Sequence, residues 1–257
     1  MIKSKIFTDY SNREIMLKTF RLVVILFGLV TITGCSNLIQ KPESQWTVEE
    51  FYDRAKSEFD NGQWKSAIEF YEKLKANFPY GDYAEQAYLE LAYAYYRYDE
   101  PLSAIRELDE FIRLYPRHPQ LPYAYFLKAL SADSINRSWL DRFITDPANR
   151  DIQSTQQALR AYQEVIQRFP NTDYAIAAQQ RLVIITNRLA RRDLQVAQFY
   201  YERQAYLAAA TRAQRVIEEF PNSQSSRDAL VMLRKAHQKM GLDETAVDIQ
   251  QVIELNR

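Results

Sequence analysis

Residues Leu91 to Pro116 read LAYAYYRYDEPLSAIRELDEFIRLYP. Two other stretches fall into register with it when each is closed on an aromatic–proline pair: RAKSEFDNGQWKSAIEFYEKLKANFP ends at Pro79, and VAQFYYERQAYLAAATRAQRVIEEFP ends at Pro221. In each, an alanine (Ala55, Ala92, Ala197) precedes a second alanine (Ala67, Ala104, Ala209) by twelve positions. An apolar residue follows seven later (Leu74, Phe111, Val216), and the proline comes twelve after the second alanine. Two helices account for this spacing. The small residues mark where the first helix crosses the second and the backbones approach closely. The proline ends the second helix, because it lacks an N–H and its ring clashes with the preceding turn.

This is the tetratricopeptide pattern, whose period is about 34 residues. A fourth pair, Phe169-Pro170, marks another unit, and RKAHQKMGLDETAVDIQQVIEL repeats the pattern once more with a shorter loop and no proline. The expected fold is all-α, a superhelical solenoid of about five tetratricopeptide-type helix pairs. The units are about 47–79, 80–116, 117–170, 171–221 and 222–257. Pro79 to Pro116 is an ordinary interval, whereas 54 residues from Pro116 to Pro170 demand an insertion. Asn136 to Gln153, with Trp139, Phe143 and Pro147, reads as a loop packed over its own pair. Between Pro170 and Pro221 there is neither Gly nor Pro, so Asp173 to Arg203 is expected as an over-long first helix. Ala190 to Arg192 is the place for a kink, and such a helix either projects beyond the stack or joins two half-solenoids.

Composition narrows the chemistry. The 33 basic and 33 acidic side chains leave no excess cation to displace counterions, so nucleic-acid binding is not expected. Five glycines are too few for phosphate loops or tight hairpins, and one cysteine excludes an intramolecular disulfide or a cysteine zinc site. His118 and His237 lie in different units without acidic clusters at ligand spacing, and read as surface or core histidines. The acid pairs Glu49/Glu50, Asp99/Glu100 and Glu218/Glu219 fall at helix ends, where they are ordinary. No nucleophile elbow, P-loop or HExxH is present. The expectation is a protein that is not an enzyme and has no metal or dissociable cofactor.

The single cysteine has a position that explains it. From Met16 the chain reads MLKTFRLVVILFGLVTITGCSN, with Lys18 and Arg21 before a twelve-residue apolar run from Leu22 to Thr33. That run is shorter than the about 20 residues a spanning helix needs, and fits a secretory signal peptide. Ile32-Thr33-Gly34-Cys35 resembles the bacterial lipobox, although Ile stands where Leu is usual. The resemblance implies N-acyl and S-diacylglycerol groups on Cys35, which would become the first mature residue. The alternative is a plain signal peptide with an incidental thiol. Residues 1–34 are thus expected to be a signal peptide with its true start at Met16, and 35–46 a lipidated flexible tether. Ser36, where some lipoproteins carry Asp, implies the outer membrane as destination. Acyl chains supply about 0.8 kcal/mol per buried CH₂, so such a terminus stays on a membrane.

A repeat array lines a concave surface with its first helices. Counting from the prolines, Tyr88, Leu91, Ala92 and Tyr95 fall at packing positions of the second unit. Leu89, Tyr93, Tyr96 and Arg97 fall at groove positions, as do Tyr52, Lys56, Phe59 and Asp60 in the first unit. FPYGDY places Phe78, Tyr80 and Tyr83 at the mouth. Tyrosine combines rigid area with one polar handle, so such a groove suits an extended peptide. The alternative for each ring is packing between neighbouring pairs. Arg203 and Arg212 lie near the elbow of the fourth unit, where a solvated helix-face charge is the ordinary reading.

Several strings are more specific than a generic repeat: FPYGDY, LAYAYYRYDEPLSAI, DEFIRLYPRHP and QRLVIITNRLARRDLQVAQFYYERQAYLAAATR. With the lipobox, they resemble the BamD family of β-barrel assembly lipoproteins, from Cys35 to the C-terminus. The resemblance implies a non-catalytic adaptor at the periplasmic face of the outer membrane. It implies that the first repeats receive the C-terminal signal of unfolded outer-membrane proteins, with Phe78 among the matching residues. It also implies that the last repeats dock on a POTRA domain of a BamA-type barrel subunit, Arg212 being the matching coupling residue, alongside other machinery lipoproteins. Trp64 stands where the family has tryptophan; at the fourth elbow the corresponding aromatic is Tyr206, and Gln204 stands where Gly is usual. The rival reading is an envelope adaptor for periplasmic proteases or cell-wall enzymes, in which case BamA would be missing from a pull-down.

Overall fold

The computed structural model describes residues 41–135 and 152–255. The signal peptide, Cys35, the first half of the expected tether and nearly all of the expected insertion lie outside the described residues. Residues up to Thr47 form a unit apart from Val48–Arg257. Within it, Glu43–Gln45 make one 3-10 turn, and the Trp46 indole donates to the Lys41 carbonyl at 2.9 Å.

In the second unit the described residues form ten helices and no strand. They are α1 (Val48–Asp60), α2 (Trp64–Asn77), α3 (Asp82–Arg97), α4 (Pro101–Leu114), α5 (Leu121–Ser134), α6 (Ile152–Arg168), α7 (Asp173–Glu202), α8 (Tyr206–Glu219), α9 (Ser226–Lys239) and α10 (Asp243–Leu255). Each helix packs on the next, and the odd-numbered helices also stack on one another in series, α1 on α3, α3 on α5, α5 on α7 and α7 on α9. That is a tetratricopeptide solenoid of five helix pairs. The alanines at the crossings (Ala55, Ala67, Ala92, Ala104, Ala197, Ala209) are all fully buried, and so is Ala158, twelve before Pro170. Leu74, Phe111, Val165 and Val216, each five residues before its proline, are buried as well. Full burial of such side chains contributes about 1.5–3 kcal/mol apiece.

The two turn types of the array repeat as faithfully as its helices. At the end of each proline-closed second helix, the aromatic residue (Phe78, Tyr115, Phe169, Phe220) makes a last i→i−4 bond of 2.8 to 3.0 Å. The chain then leaves helical backbone, as Phe78 shows at φ −135° and ψ 71°, because proline disfavours the α region in the residue before it. Between first and second helices, three-residue turns put Gly62, Asp99, Gln204 and Gly241 in the left-handed region, at φ 71°, 64°, 62° and 75°. The next N–H then reaches back five residues in every case, from Gln63 to Glu58, Glu100 to Tyr95, Ala205 to Tyr200 and Leu242 to His237. These are Schellman turns, which glycine makes without a steric penalty. Gln204 therefore takes the conformation of the glycine it replaces, and the fourth elbow keeps its geometry. Gln204→Gly is expected to stabilise the protein by about 0.5–1 kcal/mol, seen as a raised denaturation midpoint at unchanged m-value. A lowered midpoint would count against this account.

The 30-residue α7 runs as one helix through Ala190 to Arg192. Its first turn is capped by the Thr172 hydroxyl, which accepts from the Ala175 N–H at 3.3 Å. Ala178, Ile185 and Leu189 pack with Tyr125, Ala129, Tyr162 and Val165 of the third pair. Ala190, Leu194 and Ala197 pack instead with Ala209, Ala213, Ala229 and Leu233. Of the two roles open from sequence, the helix joins two cores. Gln153, placed in the insertion by its sequence, belongs to α6, which begins by Ile152.

A candidate binding groove

The groove side chains of the first two pairs form one row of aromatic contacts. Tyr83 packs on Tyr52 at 5.1 Å between ring centroids, Tyr52 on Tyr71 at 6.3 Å, and Tyr71 on Phe59 at 6.2 Å. Phe59 meets Tyr93 at 5.5 Å and Trp64 at 5.5 Å, and Tyr93 meets Tyr96 at 6.3 Å. Helical spacing explains the row: Tyr52 and Phe59 lie seven residues apart on α1, and Tyr93 and Tyr96 three apart on α3, so each pair shares a face. Tyr71 of α2 is fully buried and floors the row, while Tyr52, Phe59, Tyr93 and Tyr96 are half-buried and Tyr83 is more open. The row continues along the array, because Tyr123 and Phe126 of α5 pack on Tyr174 of α7 at 5.8 and 5.6 Å.

A mostly enclosed carboxylate organises this floor. The Tyr71 hydroxyl donates to Glu90 Oε2 at 2.6 Å, the Gln86 amide donates to Oε1 at 3.1 Å, and the Lys56 ammonium lies 3.9 Å away. Lys56 also pairs with Asp60 and sits 4.9 Å over the Phe59 ring. Arg97 stacks 4.6 Å over Trp64 and donates to the Tyr93 hydroxyl at 2.9 Å. The surface thus offers ring area for apolar side chains, with fixed donors and acceptors along its edge for a peptide backbone.

Burial and then neighbouring carboxylates hold several phenols of this region neutral to high pH. Burial raises Tyr52 and Tyr71 well above the usual tyrosine range, with Glu90 adding to both. Burial also raises Tyr123, and pushes Tyr88 up to about 12 with Glu110 adding. In the unfolded chain these phenols ionise near pH 10. Their raised pKa values therefore stabilise the fold fully below about pH 10, and that stability is lost as pH rises through the folded values. The first three pairs should unfold between about pH 10 and 12, with tyrosinate absorbance at 295 nm appearing together with loss of helical circular dichroism. Tyrosinate appearing well before any loss of helix would contradict this.

Not every sequence-derived position falls in the row. Leu89 is only 2% exposed, packed with Ala124 and Leu127, because it faces α5 and not the groove. Tyr88, Leu91, Ala92 and Tyr95 are buried packing residues. Phe78 packs on Phe51 at 6.1 Å, apart from the row, and Tyr80 is 84% exposed. Glu90 and Tyr71 went unnoticed, although a glutamate between two buried leucines is the signal that marks such a hub. His118 is structural: its Nδ1 accepts from the Gln120 N–H at 3.1 Å, and its ring packs on Phe111.

The two elbow arginines are not brought together. Arg203 caps α7, exposed, with its guanidinium 3.5 Å over the Phe199 ring. Arg212 of α8 lies 3.4 Å from Asp193, which is buried, and Arg215 approaches the same carboxylate at 3.7 Å. Asp193 is ten residues before Arg203, about 15 Å along the helix. Arg212→Glu would set one carboxylate against another that is buried. It therefore perturbs the fourth pair itself and does not report on partner binding alone.

A family model described as YfiO, outer membrane lipoprotein, matches residues 44–252. The outer membrane protein assembly factor BamD of Neisseria meningitidis (strain Z2491) is 36% identical over 212 residues, spanning 82% of this chain and 79% of that one. The BamD of Vibrio cholerae is 32% identical over 236 residues, spanning 90% and 96%. The crystal structure of MamA protein overlaps 80% of this chain and 89% of that chain at 17% identity, with a TM-score of 0.36.

Proposed function

The chain belongs to the BamD family of outer membrane protein assembly factors, and from that premise we propose that it is a two-ended, non-catalytic adaptor in outer-membrane β-barrel assembly. Its aromatic groove takes an extended segment of an unfolded barrel protein. Tyr52, Phe59, Tyr83, Tyr93 and Tyr96 receive alternate side chains, with Phe78 and Tyr80 at the entrance. The fourth and fifth pairs hold a BamA-type subunit through its POTRA domain, with Arg203 and Arg212 at that end, and other machinery lipoproteins bind the same assembly. Cys35 carries the N-acyl and S-diacylglycerol groups that anchor the protein to the periplasmic face of the outer membrane. No helix among the described residues is long and apolar enough to cross a membrane.

The observation that carries this reading is the unbroken row Tyr83–Tyr52–Tyr71–Phe59–Tyr93–Tyr96. Side chains of an extended strand alternate between faces, so every second one can meet the row while the backbone meets the polar edge. A photoreactive residue at position 93 is expected to crosslink a peptide carrying a barrel protein's last strand. Crosslinks confined to the fourth and fifth pairs would reverse the polarity. For the other end, Arg203→Glu is the cleaner test, since Arg203 touches no carboxylate among the described residues. It should weaken co-purification with the barrel subunit, and undiminished recovery would remove Arg203 from that interface.

A further inference from the structure

Away from the tyrosine row, a pocket of about 300 Å³ opens where the second helices of pairs two and three end. It is lined by Ile112 of α4, Pro116, Leu121 and Tyr125 of α5, and Arg168 and Phe169 at the end of α6. Leu121 and Tyr125 are four apart on α5. Tyr123, which belongs to the row, lies on roughly the opposite side of that helix at about 100° of turn per residue. The two features are therefore separate surfaces.

Three observations define what the pocket can hold. Its walls are mostly apolar, with the Tyr125 and Phe169 rings 5.3 Å apart. Tyr125 is 9% exposed, yet its hydroxyl has no hydrogen-bond partner among the described residues. The hydroxyl therefore stands as a free donor beside the cavity, able to meet a partner from outside. Third, one arginine belongs to the lining and two more adjoin lining residues in the chain. Arg168 lies 5.1 Å over the Tyr125 ring with 57% of its side chain exposed, Arg113 follows Ile112 with 69% exposed, and exposed Arg117 follows Pro116. Glu164 and Glu110 reach Arg168 and Arg113, but Arg117 has no carboxylate partner among the described residues.

We propose that this pocket is a second protein-binding site, which takes one large apolar side chain from an acidic segment of a partner protein. The anchor fills the cavity between Leu121, Ile112 and Phe169. A carboxylate beside it accepts from Arg168 and from the Tyr125 hydroxyl, and further acids meet Arg113 and Arg117. Arg168 in the lining and Arg117 beside it argue for more than one carboxylate and not for one chain terminus, because a single terminal carboxylate engages one guanidinium fork.

The probe is an acetylated, amidated nonapeptide of alternating Asp and Glu around one central leucine, fluorescently labelled and titrated with the whole soluble domain at low salt. Saturable binding is expected. It should weaken at least tenfold when the leucine becomes asparagine, or when Ile112→Trp fills the cavity. Tyr125→Phe and Arg168→Gln keep the volume and should each weaken it several-fold at unchanged melting temperature, whereas Tyr93→Ala in the groove should leave it unchanged. No saturable binding overturns the proposal, as does binding indifferent to Ile112→Trp, Tyr125→Phe and Arg168→Gln together. Tighter binding by an uncharged peptide ending in leucine with a free carboxylate overturns the acidic-segment assignment.

Discussion

Tyr71→Ala is expected to destabilise the first two helix pairs by about 3–5 kcal/mol, the range for truncating a large buried aromatic. The Tyr71 ring is fully buried, touches the Tyr52 and Phe59 rings, and donates to a carboxylate that is itself mostly enclosed. Truncation removes all three at once. It opens a cavity under the groove, takes a donor from Glu90, and frees Tyr52 and Phe59 to leave their rotamers. Tyr71→Phe separates the contributions, since it keeps the ring and loses only the bond to the Glu90 carboxylate. A bond to a charged group is worth about 1.5–3 kcal/mol, and the low end applies because Gln86 and Lys56 still serve Glu90. Denaturant unfolding checks both variants. A loss below about 1 kcal/mol for the alanine variant would mean that Tyr71 does not support the floor. The groove crosslink at position 93 should fall with Tyr71→Ala and persist with Tyr71→Phe.

The second large effect is expected at the other end of the array. Asp193 lies on the buried side of α7, and its described charge partners are Arg212 and Arg215 on α8. The double variant Arg212→Ala/Arg215→Ala leaves this carboxylate buried without either. Breaking a buried pair from one side costs about 3–5 kcal/mol, and the lower figure applies here because both arginines are more than a third exposed. In a solenoid each pair leans on its neighbours alone, so the loss should stay local. Hydrogen exchange should speed up in α8 and in the second half of α7, with α1 to α4 unchanged. Adding Asp193→Asn to the double variant removes the stranded charge and should recover most of the loss. Failure to recover would show that the arginines act by packing and not by charge.

Much of this architecture was legible in particular residues. The alanine-to-alanine interval of twelve and the aromatic–proline pairs encode helix crossing and helix ending, which depend on nearest neighbours in the chain. The length of α7 followed from the absence of Gly and Pro after Pro170, since nothing in that stretch stops a helix. The Schellman turns were half hidden. Gly62 and Gly241 announce themselves, but Asp99 and Gln204 adopt the same left-handed backbone because the two helices they join dictate it. Leu89 misled because a groove position and an inter-pair position differ by one neighbour in space, and only the placement of α5 tells them apart.

The candidate sites divide in the same way. Sequence periodicity alone put Tyr52, Phe59, Tyr93 and Tyr96 on common helix faces, because a helix's period is a local property. It could not show that Tyr71 and Glu90 meet beneath them from different helices, since that contact depends on how α2 packs against α3. The pairing of Asp193 with Arg212 and Arg215 and the pocket around Tyr125 are likewise products of packing, assembled from residues up to 57 positions apart. The sequence by itself determined the repeat, its register and the composition of each helix face. Tertiary structure alone decided which faces meet, where a carboxylate is buried and where a cavity stays open, because these depend on distances between helices that no short-range pattern specifies.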